Sequence, residues 1–193
     1  MTKKQRLSIL NYNFNIACIN RCTEAEGPEK RLAIWFQGCD KRCEGCCNPQ
    51  LFDFKPANIL SLDGVLEIVA EAKKLFDIEG VTFLGGEPTL QQGLSKLSAE
   101  IKKMGLGVIL LTGKQAEELS ENLVSAVDLI IDGGFDCNKP DNERNLIGST
   151  NQRLIYITER YKPFEDWFYS YREKRVEINI SDNLFLTGDK ITQ

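Results

Sequence analysis

The chain has 193 residues, 42% hydrophobic and 27% charged, a balance that fits one soluble globular domain. Lys and Arg total 24 against 28 Asp and Glu, a formal net charge of −4 that disfavours non-specific nucleic-acid binding, which needs a basic face. There is no His, which excludes a Ser-His-Asp triad, a Cys-His nucleophile pair and a His-ligated zinc or haem. Seven Cys remain: Cys18, Cys22, Cys39, Cys43, Cys46, Cys47 and Cys137. No apolar run approaches the roughly 20 residues that span a bilayer, and no signal-type apolar region follows the charged start, Met1 to Arg6. The expectation is therefore a cytoplasmic protein with neither membrane nor nucleic acid as partner. There, an odd number of Cys points to metal or redox chemistry rather than a disulfide framework.

Leu7 to Ile19 is apolar with partial alternation and predicts a first strand. Thr23 to Lys30, with Gly27-Pro28, predicts a loop. Leu32 to Phe36 is short and almost wholly apolar, as a strand buried on both faces would be. After the cysteine-rich loop, Ser61 can cap a helix carrying Leu62, Val65, Leu66, Val69, Ala72 and Phe76 at helical spacing. Val81 to Leu84 predicts a strand that ends in Gly85-Gly86-Glu87-Pro88. Leu90, Leu94, Leu97, Ile101 and Met104 mark a second helix that Gly105 can stop. Gly107 to Leu111 and Val127 to Ile131 predict strands ending in Thr112-Gly113 and Asp132-Gly133-Gly134, with a short helix between them at Ala116, Leu119 and Leu123. Phe135 to Ser149 is polar and irregular, which predicts an exposed, adaptable surface loop. Leu154 to Ile157 predicts a strand, Pro163 to Lys174 a helix, and Val176 to Ile180 with Leu184 to Leu186 a closing hairpin. Strand and helix alternate from residue 31 to about 130, so a parallel α/β sheet is expected, open or rolled into a partial barrel. Its chemistry belongs at the carboxyl ends of the strands, where the Gly-rich turns fall.

The cysteine loop reads Cys39-Asp-Lys-Arg-Cys43-Glu-Gly-Cys46-Cys47-Asn-Pro. Three thiolates at this spacing can hold three irons of a 4Fe–4S cube and leave the fourth iron open to an exogenous ligand. Gly38 and Gly45 permit tight turns, and Lys41 and Arg42 can offset cluster charge. A zinc loop built from Cys39, Cys43, Cys46 and Cys47 is the other reading; adjacent Cys46 and Cys47 would both have to reach one tetrahedral ion. Cys18, Cys22, Cys47 and Cys137 could in principle hold an auxiliary cluster, although no second ferredoxin-type motif accompanies them.

Cys39, Cys43 and Cys46, together with Gly85-Gly86-Glu87-Pro88 after the next strand, resemble the motifs of the radical S-adenosylmethionine (SAM) superfamily. Within it the chain is similar to the glycyl-radical-enzyme activases of the anaerobic ribonucleoside-triphosphate reductase type. The residues that carry this are Gly27-Pro28 before Arg31, Trp35-Phe-Gln-Gly-Cys39, Thr112-Gly113 with Glu117-Glu-Leu119, Asp132-Gly133-Gly134-Phe135 and Gly148-Ser-Thr-Asn-Gln-Arg153. The chain departs from the pattern at Glu29, where the entry turn usually has a second Gly. It also departs at Cys47, usually aromatic or His, at Gly134, and at Ile147, usually Arg.

The resemblance implies a partial, open β/α barrel of about five to six mostly parallel strands with a C-terminal hairpin. It implies one domain over residues 1–193, with a core of about 23–158 and an extension of 159–193. It implies one 4Fe–4S cluster on Cys39, Cys43 and Cys46, and SAM held near Gly45, Cys46, Cys47, Gly85, Gly86, Glu87, Thr112 and Asp132. Gly85 and Gly86 would let the backbone approach the methionine moiety, and Glu87 would accept from the SAM amino group. The implied activity is reductive SAM cleavage that installs a glycyl radical on a large partner enzyme, with flavodoxin or ferredoxin as electron donor. Residues 135–153 would meet that partner. Two alternatives stay open: a radical SAM enzyme acting on a small molecule or nucleotide, and a non-catalytic iron–sulfur or zinc-binding module.

Overall fold

A computed structural model of the chain describes residues 12–169 and two further strands, Val176–Ile180 and Leu184–Gly188. Residues 7–11 of the expected first strand and 170–174 of the expected last helix lie outside the described residues. Strand β1 (Asn13–Thr23) continues past Ile19 through polar Asn20-Arg21-Cys22, because register shifts between Ile16 and Cys18 and between Asn20 and Thr23 bend it against its neighbour. That neighbour, β2 (Arg31–Phe36), is antiparallel to β1 and buried at every position. A strand absent from the sequence reading, β3 (Asn58–Ser61), adds to the outer edge of β1. It is short, mostly exposed and weakly apolar, so it carries neither alternation nor a buried run.

Helix α1 (Leu62–Phe76) starts as expected, with the Ser61 hydroxyl accepting from Gly64 N at 3.1 Å. Next come β4 (Gly80–Gly85), α2 (Leu94–Lys103), β5 (Gly107–Leu111), α3 (Glu121–Val124), β6 (Leu129–Asp132), β7 (Arg153–Tyr156) and α4 (Glu165–Tyr169). The sheet order is β3-β1-β2-β4-β5-β6-β7. Pairs β2–β4, β4–β5 and β5–β6 are parallel, and antiparallel strands flank this block on both sides. The open, partial-barrel α/β sheet thus holds, with seven strands where five to six were expected. The closing hairpin is present as β8 (Val176–Ile180) and β9 (Leu184–Gly188), and Glu177 Oε1 accepts from Glu24 N at 2.8 Å.

Alternation along the strands separates two faces. Leu32, Ile34, Phe36, Val81, Phe83, Val108, Leu110 and Ile130 pack under the helices against Val65, Val69, Leu97 and Ile101. Phe76, expected in that stripe, is 40% exposed, because α1 ends there. The opposite, concave face carries Arg31, Ala33 and Trp35 of β2, Thr82 and Leu84 of β4, Ile109 of β5, and Leu129 and Ile131 of β6. Tyr161, Phe164, Trp167 and Phe168, from the segment Glu159–Phe164 and α4, fold back over the β5–β6 part of it. The barrel is therefore filled on that side by its own chain.

The amino-terminal ends of the strands are closed by Arg31, which is fully buried. Its guanidinium donates to Thr82 Oγ1 at 2.7 Å, Val81 O at 2.9 Å and Pro28 O at 3.3 Å, and lies 5.1 Å from the centre of the Tyr161 ring. Thr82 Oγ1 in turn donates to Glu26 O at 2.7 Å. The loop between β1 and β2 is thus drawn inward, and Ala25, Glu26, Gly27 and Pro28 are buried. Gly80 is required here, since a Cβ would stand 2.6 Å from the Arg31 guanidinium.

Candidate functional site

The cysteine loop leaves the carboxyl end of β2 and is pinned at its root. Gly38 N donates to Leu51 O at 2.9 Å and Cys39 N to Phe52 O at 3.2 Å. The Gln37 side chain donates to Asp53 O at 2.7 Å. Cys39 is buried, Cys43 and Cys46 are half-buried, and Cys47 is exposed. Burial pushes the Cys39 thiol up, and backbone N–H groups of Arg42 and Lys41 directed at its sulfur oppose that in part. Those N–H groups would favour a thiolate. Cys46 N donates to Cys43 O at 3.3 Å, and Asn48 N points at Cys46 Sγ at 3.4 Å. Cys47 Sγ accepts instead from the Asn48 side chain, at 3.3 Å. Among the described residues no three Cys, Asp or Glu side chains converge to hold a single metal ion. In a cube each thiolate takes a different iron. Lys41 and Arg42 are engaged with Glu118 at 3.9 Å and Asp53 at 3.4 Å. Cys18 packs on the concave face with Trp35 and Leu51, whereas Cys22 packs on the helix-covered side.

The Gly85-Gly86-Glu87 turn at the end of β4 is bonded directly to this loop. Gly86 N donates to Phe36 O and Glu87 N to Gly38 O, both at 2.9 Å. The glycines are demanded by this contact itself. A Cβ at Gly86 would stand 2.2 Å from Gly38 O, and one at Gly85 (φ +112°) 2.5 Å from Phe36 N. Glu87 is buried, and its carboxylate binds its own surroundings. Oε1 accepts from Thr89 N at 3.0 Å, Thr89 Oγ1 at 2.6 Å and Thr112 Oγ1 at 2.8 Å, and Oε2 from Gly113 N at 2.8 Å. Glu87 and Thr112 thus join the ends of β4 and β5.

Asp132, at the end of β6, is fully buried. Its Oδ1 accepts from Arg153 Nε at 2.9 Å, and its Oδ2 accepts from Ala116 N at 2.7 Å and from Arg153 Nη2. Arg153 also reaches Glu117 at 2.8 Å, and these carboxylates hold the guanidinium above even its usual range. The segment Gly148–Arg153 latches the turn before it. Asn151 donates to Gly134 O and Gln152 to Gly133 O, each at 2.9 Å, and Ser149 Oγ accepts from Asp136 N at 3.1 Å. Residues 135–149 form the expected surface loop only in part. Positions 137–140 are exposed, but Asn145, Ile147 and Ser149 are buried. The hydrogen bonds that fold the loop back come from residues scattered over its length.

That turn lies against the cysteine loop. A Cβ at Gly134 would stand 3.7 Å from Cys43 Sγ. A Cβ at Gly45 (φ +71°) would stand 3.1 Å from the Cys137 Cβ and 3.5 Å from the Phe135 ring. The sequence reading placed Gly45, Cys46, Cys47, Gly85, Gly86, Glu87, Thr112 and Asp132 in the site; Gly85, Gly86, Glu87, Thr112 and Asp132 lie at the ends of the adjacent strands β4, β5 and β6, and Gly45, Cys46 and Cys47 lie in the loop after β2. It missed Phe135 and Cys137 as neighbours of Gly45, and Gln37 as the anchor of the loop root. Gln37 and Phe135 fall inside the segments Trp35–Cys39 and Asp132–Phe135, but nothing local shows what they touch, because their partners are distant in sequence.

A parallel α/β sheet with a three-thiol loop after its first parallel strand and a glycine turn after the second defines an iron–sulfur protein. The chain belongs to the 4Fe-4S single cluster domain family, whose model matches residues 25–155. It is 29% identical over 144 residues to the anaerobic ribonucleoside-triphosphate reductase-activating protein of Enterobacteria phage T4, covering 72% of this chain and 91% of that protein. It is 32% identical over 148 residues to the pyruvate formate-lyase-activating enzyme of Staphylococcus aureus (strain USA300), covering 70% of this chain. The chain spans 58% of the length of that enzyme. A solved structure, QueE from Escherichia coli, superposes with a TM-score of 0.46 at 14% identity, over 68% of this chain and 74% of that one. The resemblance to the radical SAM activases stands, and with it a 4Fe–4S cluster and SAM as the cofactors. No helix among the described residues is long and apolar enough to cross a membrane.

Proposed function

We propose that this chain is a radical SAM activating enzyme, a single domain that installs a glycyl radical on a large partner such as an anaerobic ribonucleotide reductase. Cys39, Cys43 and Cys46 hold the cluster, and Cys47 does not. The observation that carries the reading is the bonding of the cysteine loop to the Gly85-Gly86-Glu87 turn, through Gly86 N to Phe36 O and Glu87 N to Gly38 O. It sets a cluster loop and a backbone cradle side by side at the carboxyl ends of parallel strands. When bound, the reduced cluster supplies the electron that breaks a carbon–sulfur bond of SAM, giving methionine and a 5′-deoxyadenosyl radical. Gly85 and Gly86 offer side-chain-free backbone to the methionyl group. Glu87, Thr112 and Asp132 fix the strand ends around it, and Gly45, Cys46 and Cys47 border it from the loop. A small cytoplasmic electron carrier, flavodoxin or ferredoxin, is the donor.

Anaerobic reconstitution tests this. The protein should take up about four irons and turn brown, and with dithionite it should release 5′-deoxyadenosine from SAM. Cys39→Ala, Cys43→Ala and Cys46→Ala should each lose the cluster, while Cys47→Ala keeps it. Loss in Cys47→Ala, with retention in one of the other three, overturns the ligand set. A glycyl-radical doublet in the electron paramagnetic resonance of a mixture with the partner enzyme tests the substrate.

A further inference from the structure

The loop between β6 and β7 is folded around one side chain that no motif contains. Arg144 has a side chain only 15% exposed, and its Nε donates to Asp141 Oδ2 at 2.7 Å; the Asp141 side chain is itself 4% exposed. Its Nη1 donates to Gln152 O at 3.0 Å, and its Nη2 to Thr150 O at 3.3 Å and Ser149 O at 3.4 Å. Asp141 also accepts from Glu143 N at 2.9 Å and Arg144 N at 2.8 Å. A single guanidinium thus ties one limb of the loop, at 141–144, to the other, at 149–152. A planar, multidentate donor suits that task better than an ammonium does. The closed loop continues into the turn that touches the cysteine loop. Its Phe135 ring lies between Gly148, where a Cβ would stand 3.0 Å away, and Gly45, where the distance is 3.5 Å.

We infer that Arg144 is a positioning residue for the cysteine loop: it locks residues 135–152 into a frame that, with the adjoining Gly134, sets Phe135 and Cys137 against the Cys43–Cys46 stretch and holds it in place. The inference rests on the proposed site only in calling that stretch the cluster loop. Without Arg144, Asp141 would be left as a buried carboxylate lacking its cation, and three carbonyls would lose their donor. The least costly response is local opening of the frame, which frees the segment it abuts.

The test uses the full-length, reduced apo-protein, so it needs no cluster and no activity. Hydrogen exchange and alkylation mapped to single cysteines compare Arg144→Ala and Arg144→Lys with the wild type. In Arg144→Ala, exchange should rise about ten-fold or more in 135–152 and also in 43–48, and Cys43 should alkylate faster by a similar factor. Exchange in α1 and alkylation of Cys22 should not change. Arg144→Lys keeps a cation for Asp141 but loses the fork, and should fall between. Faster exchange confined to 135–152 would overturn the proposal, because Arg144 would then hold only its own loop. A rise that includes α1 and Cys22 would overturn it too. If Arg144→Ala does not fold, Gln152→Ala removes the bonds to Gly133 O and to Gly148 and Ser149 N, and reads the same two segments. Failure of the wild type to take up iron would sink the cluster reading and leave these exchange results standing.

Discussion

Glu29 stands where related entry turns have glycine, and its backbone shows why that matters. It lies at φ +64°, in the left-handed region that side chains other than glycine enter at a cost of about 1–2 kcal/mol. Burial pushes its carboxyl up, and Glu79 pushes the same way. A raised carboxyl means the charged form is penalised in the fold. That contribution is favourable below the unfolded value, about 4.3, and is lost as pH rises through the folded value. Glu29→Gly should therefore stabilise the protein at neutral pH by roughly 0.5–1 kcal/mol, read from denaturant unfolding; a loss of stability would show that the side chain makes a contact worth more than the strain. Glu87 gives the opposite expectation. Thr89 N, Thr89 Oγ1, Thr112 Oγ1 and Gly113 N all donate to its carboxylate, so in Glu87→Gln an amide NH2 must face either Gly113 N or the Thr89 and Thr112 groups. The variant should lose roughly 1–3 kcal/mol, measured on the apo-protein. Unchanged stability would leave Glu87 free to turn towards a ligand instead.

Among the elements, the turn after β4 is the most constrained. Gly86→Ala sets a methyl group against the Gly38 carbonyl, a backbone atom that cannot swing aside. We expect a loss on the order of 2–4 kcal/mol and poor cluster uptake even when the variant folds in the cold. Normal stability with weakened SAM binding alone would mean that the glycine serves the ligand rather than the fold. The loop between β6 and β7 has a pH signature. Burial pushes the Asp141 carboxyl up, but hydrogen bonds from Arg144 and Glu143 outweigh it and hold the carboxyl below its usual value. A depressed carboxyl contributes its stabilisation above the unfolded value, about 3.9, and loses it as pH falls through the folded value. Exchange protection of 135–152 should hold from neutral pH to about pH 4 and fail only below it; failure near pH 6 would mean another group closes the loop.

For the whole molecule, the decisive feature is how an open sheet keeps its concave face dry. The carboxyl-end chemistry needs firm strands beneath it, and the opposite end is sealed by Arg31, Thr82 and Tyr161, not by further strands. Arg31→Ala removes three hydrogen bonds and leaves a void, and should cost about 3–5 kcal/mol. The Tyr161 hydroxyl has no hydrogen-bond partner among the described residues, so Tyr161→Phe should stay within about 1 kcal/mol of wild type or gain. Thermal unfolding of the two variants separates these; a large loss in Tyr161→Phe would mean that the hydroxyl is bonded after all.

The parallel strands, α1 and α2, the cysteine spacing and the glycine turn could all be read from the sequence. Each is a local signal: an apolar run, a 3.6-residue period, a cap, a run of thiols. Residues 31–36 and 107–111 are legible because burial on both faces leaves no polar interruption except Arg31 at the very start. Only the tertiary structure could decide the rest, because the partners are far apart in the chain. Strand β3 exists because β1 offers it an open edge. Tyr161 and Phe168 are core, with Phe164 and Trp167 packed beside them, because an unclosed barrel leaves Ile109, Leu129 and Ile131 to be covered. The polar composition of 135–149 signals solvent, yet Arg144 and Asp141 bond each other and the carbonyls of the opposite limb, so the two limbs of the loop close on one another.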